Sequence, residues 1–150
     1  MRNRSTVKVQ PGLFLQPFVV SQLIGTVLAD VVEGSGITAS EFAVTSSIAI
    51  LERVTPTELA RTLGMAPTTL SAVIDRVARK GHVRRARNPG DGRSYVLELT
   101  AKGKAANARI GERFRVAIGA VRGHLELDPD EVLAALRSLE DALRATIAEA

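Results

Sequence analysis

Hydrophobic positions along the chain recur at helical spacing in most segments and switch to strand spacing in one. An apolar run over residues 9–29 predicts a first helix between residues 11 and 33, stopped by Gly34-Ser35-Gly36. A second helix is expected over about Ala39–Leu51, with Phe42, Ile48 and Leu51 as its apolar positions. Thr55-Pro56-Thr57-Glu58 sets a capping Thr, a Pro at the first helical position and a Glu three residues after the cap. That arrangement starts a third, short helix, because the Thr oxygen and the Glu carboxylate can each satisfy an orphan backbone donor. Leu59, Ala60 and Leu63 form its apolar side, and Gly64 ends it.

A fourth helix begins near Ala66-Pro67 and ends at Gly81, with Leu70, Val73, Ile74 and Val77 on one stripe. The period then changes to two. Residues 82–87 and 94–99 read as strands, with Tyr95, Leu97 and Leu99 on one face, joined by the turn formers Asn88-Pro89-Gly90-Asp91-Gly92. Thr100 is placed to cap a long helix over residues 101–122, with the stripe Ile110, Phe114, Ala117 and Val121. Asp128-Pro129-Asp130-Glu131 starts a last helix, in which Val132, Leu136, Leu139, Leu143 and Ile147 recur at spacings of three and four. The expected class is mainly α with a small β-hairpin.

Composition agrees with packed helices. The chain has 150 residues, of which 45% are apolar but only 3% aromatic, so Leu, Val, Ile and Ala must build the core. This length suits one domain. The balance of 20 Lys and Arg against 16 Asp and Glu is mild, but its distribution is not. Between residues 76 and 93, Arg76, Arg79, Lys80, Arg84, Arg85, Arg87 and Arg93 stand against Asp91 alone. From residue 124 onward acids prevail over Arg137 and Arg144. Positive charge concentrated in one stretch points to a polyanionic partner there.

The absence of cysteine excludes disulfides, thiol redox switching and Cys-ligated metal. The apolar N-terminal run reaches membrane-spanning length, but Gln16, Pro17, Ser21 and Gln22 would be costly in hydrocarbon. No signal-peptide cleavage site follows it. A helix buried against a second copy of the chain, no membrane association and a cytoplasmic location are therefore expected.

Two helices joined by a tight turn, the second with a small polar face, meet the physical requirement for reading a DNA major groove. With Leu70, Val73, Ile74 and Val77 inward, the fourth helix presents Thr68, Thr69, Ser71, Ala72, Asp75, Arg76 and Arg79 outward. Short hydroxyls and a methyl group suit base edges, and arginines suit phosphate or guanine. The hairpin adds Arg84, Arg85 and Arg87, with Arg93 at its tip and Asp91 placed to orient it by a charge-assisted hydrogen bond. A basic loop beside such a helix can enter a neighbouring minor groove. The DNA-contact candidates are Thr68, Thr69, Ser71, Ala72, Arg76, Arg79, Arg85 and Arg93. Long apolar helices at both ends call for pairing about a two-fold axis. That arrangement predicts a pseudo-palindromic site of roughly 16–20 base pairs.

The run Pro56-Thr57-Glu58-Leu59-Ala60, Leu63-Gly64, Asp75-Arg76-Val77, Gly81-His82-Val83-Arg84-Arg85, Asp91-Gly92-Arg93 and Leu97 to Gly103 resembles the MarR family of bacterial regulators. The resemblance is strong over residues 55–103. It implies a winged helix-turn-helix over residues 37–100, flanked by dimerisation helices over residues 9–34 and 101–150. It implies an obligate homodimer, a wing arginine, Arg93, in the minor groove, and a repressor in preference to an activator. It also implies release by a small aromatic or lipophilic effector held between the dimer helices and the reading head. Phe14, Phe18 and Phe42 are the candidate lining, with ordinary core packing as the alternative. Pro17 and His82 depart from the family pattern, His82 standing where an apolar residue is usual.

No enzymatic motif, cofactor fingerprint or clear metal-ligand set is found, so no catalytic residue, no cofactor and no enzyme activity are expected. The competing function is a winged-helix module that binds protein in place of DNA; such modules usually carry an apolar recognition face and lack a basic wing.

Overall fold

A computed structural model describes residues 12–149; residues 1–11 and 150 lie outside the described part, among them the start of the expected first helix. The elements follow as α1 (Gly12–Val32), α2 (Ala39–Leu51), α3 (Pro56–Leu63), α4 (Pro67–Arg79), β1 (Val83–Arg87), β2 (Tyr95–Leu99), α5 (Ala101–Gly123) and α6 (Pro129–Ala148). The chain divides into two compact units, one ending at Phe114 and the other beginning at Arg115.

In the first unit the core is aliphatic. Val44 and Ile48 of α2, Leu59 of α3, the stripe Leu70, Val73, Ile74 and Val77 of α4, and Val83, Leu97 and Leu99 of the hairpin form one cluster. The strands pair antiparallel, with Val83 opposite Leu99 and Arg87 opposite Tyr95. Val54 adds a third short piece, bridging Leu97, which the sequence pattern does not reveal. Two positions of these elements stand clear of the core. Leu51 is 42% exposed, because the chain leaves the helix there. Tyr95 shares the face of Leu97 but extends past the core and is exposed, whereas Val96 on the opposite face is buried.

The helix starts are set by side chains. Thr55 accepts a hydrogen bond from the Glu58 N–H, and the Glu58 carboxylate accepts from the Thr55 N–H at 2.9 Å. This backbone donor holds the Glu58 carboxyl below its ordinary pKa. The same box opens α2, where Thr38 and Glu41 exchange bonds of 3.2 and 2.8 Å. Gly64, in the left-handed region at φ 60°, closes α3 and donates to the Ala60 and Arg61 carbonyls. Thr100 accepts from the Gly103 N–H at 3.0 Å and donates to the Gly81 carbonyl at 2.6 Å, joining the start of α5 to the end of α4.

Glu41 does more than cap. It is fully buried, and its carboxylate accepts from the Lys80 ammonium at 2.7 Å and from Arg76 Nε at 3.3 Å. Lys80 also donates to the Gly36 carbonyl at 2.8 Å. One buried charge thus ties α2 and the turn before it to the last turns of α4. Burial pushes the Glu41 carboxyl up, but the Lys80 hydrogen bond, the Thr38 N–H and the charges of Lys80 and Arg76 outweigh it and leave it below its ordinary value.

Two helices bury little. The helix α1 runs unbroken through Pro17 and is long and apolar enough to cross a membrane by length and composition, yet only Val31 and Val32 are buried. Its end is held by Arg113, which donates to the Asp30 and Glu33 carbonyls at 2.6 Å. In the second unit α6 begins at an Asp128 cap and has no buried residue.

Two outcomes follow for stability. A Cβ at Gly103 would lie 2.0 Å from the His82 carbonyl oxygen, which is backbone and held by Thr100. Gly103→Ala therefore lowers stability by roughly 1–3 kcal/mol, despite a helix-propensity gain of about 1 kcal/mol; an unchanged or raised melting temperature would contradict this close approach. The Glu41 carboxyl is harder to protonate in the fold than in the unfolded chain. Its contribution is therefore fully present above the ordinary value of 4.5 and is lost as pH falls through the depressed folded value. Glu41→Gln should cost roughly 1.5–3 kcal/mol at neutral pH and flatten the acid limb of the stability curve, as measured by urea unfolding across pH.

Candidate nucleic-acid interface

The outward side of α4 is assembled from residue size and local polarity. Thr68, Thr69, Ser71 and Ala72 are all exposed on its first turns, where Ala66 at the N-cap provides no side-chain acceptor for the backbone donors. Arg79 is exposed, with Nε donating to the Asp75 carbonyl at 3.3 Å. Arg76 is different. The Glu41 carboxylate draws it toward α2, so it is a half-buried tether as much as a surface cation. Sequence periodicity placed Arg76 on the outer face but carried no sign of its partner, which lies 35 residues away.

The basic stretch is likewise sorted by acids. Arg84 and Arg53 both bind the Glu98 carboxylate, at 2.7 and 2.8 Å. Arg85 binds Asp75 of α4 at 2.8 Å, and its guanidinium carbon lies 5.1 Å from the centre of the Tyr95 ring. Arg85 is directly opposite Leu97 in the ladder, which makes Tyr95 its diagonal neighbour on the same face. The sequence offers Tyr95 only as a strand-face position, and neither Arg53 nor Glu98 as a site residue. The ladder register that unites Arg84 with Glu98 was the signal available for one of these pairs.

The wing tip is ordered by backbone contacts. Asn88 accepts from the Gly90 N–H at 3.0 Å and donates to Ser94 Oγ at 2.8 Å. Asp91 accepts from the Arg93 backbone N–H at 3.0 Å. It therefore orients the main chain at Arg93 and not the guanidinium, contrary to the charge-assisted bond expected. The Arg93 side chain is exposed and its guanidinium has no partner among the described residues.

Of the three candidate effector-lining phenylalanines, Phe42 alone is buried within one chain. Phe42 is buried and packs edge-to-face on Phe114 at 5.5 Å, whereas Phe14 and Phe18 are exposed on α1. A cavity of about 390 Å³ opens elsewhere, where Glu33 and Ser35 meet His82, Lys102, Arg109 and Ile110. His82 is buried, and its Nδ1 has no hydrogen-bond partner among the described residues. Burial, with the nearby Lys102 and Lys80 charges, holds its pKa below the ordinary value against the opposing pull of Glu41. Among the described residues no cluster of His, Asp and Glu is arranged to hold a metal ion.

Comparison with known proteins gives a consistent result. The sequence profile of the MarR family matches residues 35–94. The multiple antibiotic resistance protein MarR of Salmonella typhimurium is 33% identical over 96 residues, covering 64% of this chain and 67% of that protein. The HTH-type transcriptional repressor YetL of Bacillus subtilis is 33% identical over 95 residues, covering 62% of this chain but only 57% of the repressor. The solved structure of the M. tuberculosis transcriptional regulator MOSR in complex with DNA superposes with a TM-score of 0.77. It is 26% identical, over 88% of this chain and 96% of that one. With its caps, turn, wing and ladder in place and a relative matched over two thirds of its length, this chain belongs to the MarR family.

Proposed function

We propose that the protein is a sequence-specific DNA-binding transcriptional regulator, a repressor, that grips a pseudo-palindromic operator as a homodimer in the cytoplasm. The observation that carries this reading is a single exposed surface of complementary chemistry. On it, α4 offers Thr68, Thr69, Ser71, Ala72 and Arg79 beside a wing whose Arg93 guanidinium is unpaired among the described residues. Small side chains allow α4 to approach base edges, its uncapped first turn offers N–H groups to a phosphate, and Arg93 has the reach of a minor-groove probe. The names of the relatives agree, since YetL is a transcriptional repressor and MOSR was solved with DNA. A protein-binding winged helix would present an apolar surface here, and this one is polar and cationic.

The dimer rests on unpartnered apolar surface. The helix α1 exposes Phe14, Phe18, Leu23 and Ile24, and α6 exposes Leu133, Leu136, Leu143 and Ile147. Apolar surface of this extent is stable in water only when something covers it, and a second copy does so with two-fold symmetry. Pairing by the terminal helices also brings two copies of α4 to a spacing of one DNA turn.

Selection from a random duplex pool should enrich a two-fold-symmetric site, with affinity falling steeply as salt rises. Arg93→Ala should weaken that site by about 1–3 kcal/mol and relax its specificity where the wing enters the minor groove. No enrichment together with no binding at low salt would return the domain to a protein-binding role. In sedimentation, the wild-type chain should run at twice its 16.0 kDa mass, and Phe18→Asp should shift it to the monomer. A variant that stays fully dimeric would remove α1 from the interface.

A further inference from the structure

Arg85 sits between two elements that must keep a fixed angle. Asp75 lies on the outer face of α4, one turn before Arg79, and Tyr95 opens β2 directly after the wing turn. The Arg85 guanidinium binds the Asp75 carboxylate on one side and lies over the Tyr95 ring on the other. Arg85 therefore connects α4, β1 and β2 through a side chain whose planar fork suits a carboxylate and whose face suits an aromatic ring. Asp75 and Arg85 are both about half exposed, so the pair contributes little to folding stability. Its placement gives it a different use. The backbone of Asp75 also holds Arg79 Nε, so the residue that tethers the wing also steadies the neighbouring free cation.

We propose that Asp75, Arg85 and Tyr95 form a positioning clamp that sets the angle between α4 and the wing, and thereby sequence selectivity, and that Arg85 is not a phosphate contact. This inference rests on the DNA-binding reading. The clamp assigns the phosphate-facing role to Arg79, leaves the minor groove to Arg93 and removes Arg85 from both. An acid on a surface that meets a polyanion would ordinarily weaken binding; the clamp gives Asp75 a reason to be there.

The sign of one substitution separates the two cases. Charge alone makes Asp75→Asn bind every duplex more tightly. The clamp makes Asp75→Asn bind the selected operator about tenfold more weakly, while random duplex binds more tightly and its salt slope rises by roughly one as Arg85 is released. Arg85→Ala should lose operator selectivity with an unchanged salt slope, whereas Arg79→Ala should lower the slope by about one. Adding Asp75→Asn to Arg85→Ala should change selectivity no further. Fluorescence anisotropy on both duplexes across salt measures all of these, and thermal unfolding of each variant checks that the fold persists.

The proposal is overturned if Asp75→Asn tightens operator and random duplex alike, or if Arg85→Ala lowers the slope as Arg79→Ala does. The clamp is also visible without DNA, as split Arg85 Nη proton signals from restricted guanidinium rotation that collapse in Asp75→Asn. Unsplit signals in the wild-type protein overturn the clamp while leaving the DNA reading intact. Split signals in a protein that selects no sequence overturn the DNA reading, and with it the role given to the clamp.

Discussion

A carboxylate taken out of water must find compensating charge, and for Glu41 that charge comes from α4. Glu41 is fully buried, accepts from its own helix cap at Thr38, and holds Lys80 and Arg76. Its position in the first turn of α2 is itself fixed by the capping box. The helix proposed to read DNA is therefore anchored twice. Leu70, Val73, Ile74 and Val77 set its rotation by packing, and one ionic cluster pins its C-terminal end to α2. Rotation of α4 would expose apolar surface and leave a buried charge unpaired at the same time. Both penalties act against the motion.

The same accounting of charge explains why a strongly basic stretch does not make a uniformly cationic surface. Glu41, Glu98 and Asp75 each take one or two basic side chains into the frame of the domain. What remains outward of that stretch, Arg79, Arg87 and Arg93, is spaced along α4, β1 and the wing tip. Fixed cations with few alternatives favour a defined geometry over general attraction to any polyanion. The Gly103 contact serves the same end, since it lets α5 begin against the His82 carbonyl and ties the base of the wing to the long helix.

Much of the fold was legible in the sequence because it is dictated locally. The Thr55 box, the Gly64 stop, the apolar stripe of α4, the turn at residues 88–92 and the Thr100 cap each depend on residues within one or two turns of each other. Such signals survive without knowledge of the rest of the chain. The Thr38 and Glu41 box was equally readable, having the same spacing as the one at Thr55 and Glu58.

Pairing at a distance was decided only by the tertiary structure. The sequence put Arg76 on an outer face, as its periodicity requires, and offered Arg85 as a DNA contact, but a side chain's partner depends on which elements meet. Glu41 lies 35 residues before Arg76, Asp75 ten before Arg85, and Val54 reaches Leu97 across the helix pair between them. Tyr95 follows the same rule, since alternation gave it the correct face but not the end of the core, beyond which it serves Arg85. Local chemistry therefore determined the elements, their ends and the polarity of their faces. Packing alone determined which charges are spent inside the domain and which are left to meet a partner, because a long flexible cation takes whichever acid the fold brings within reach.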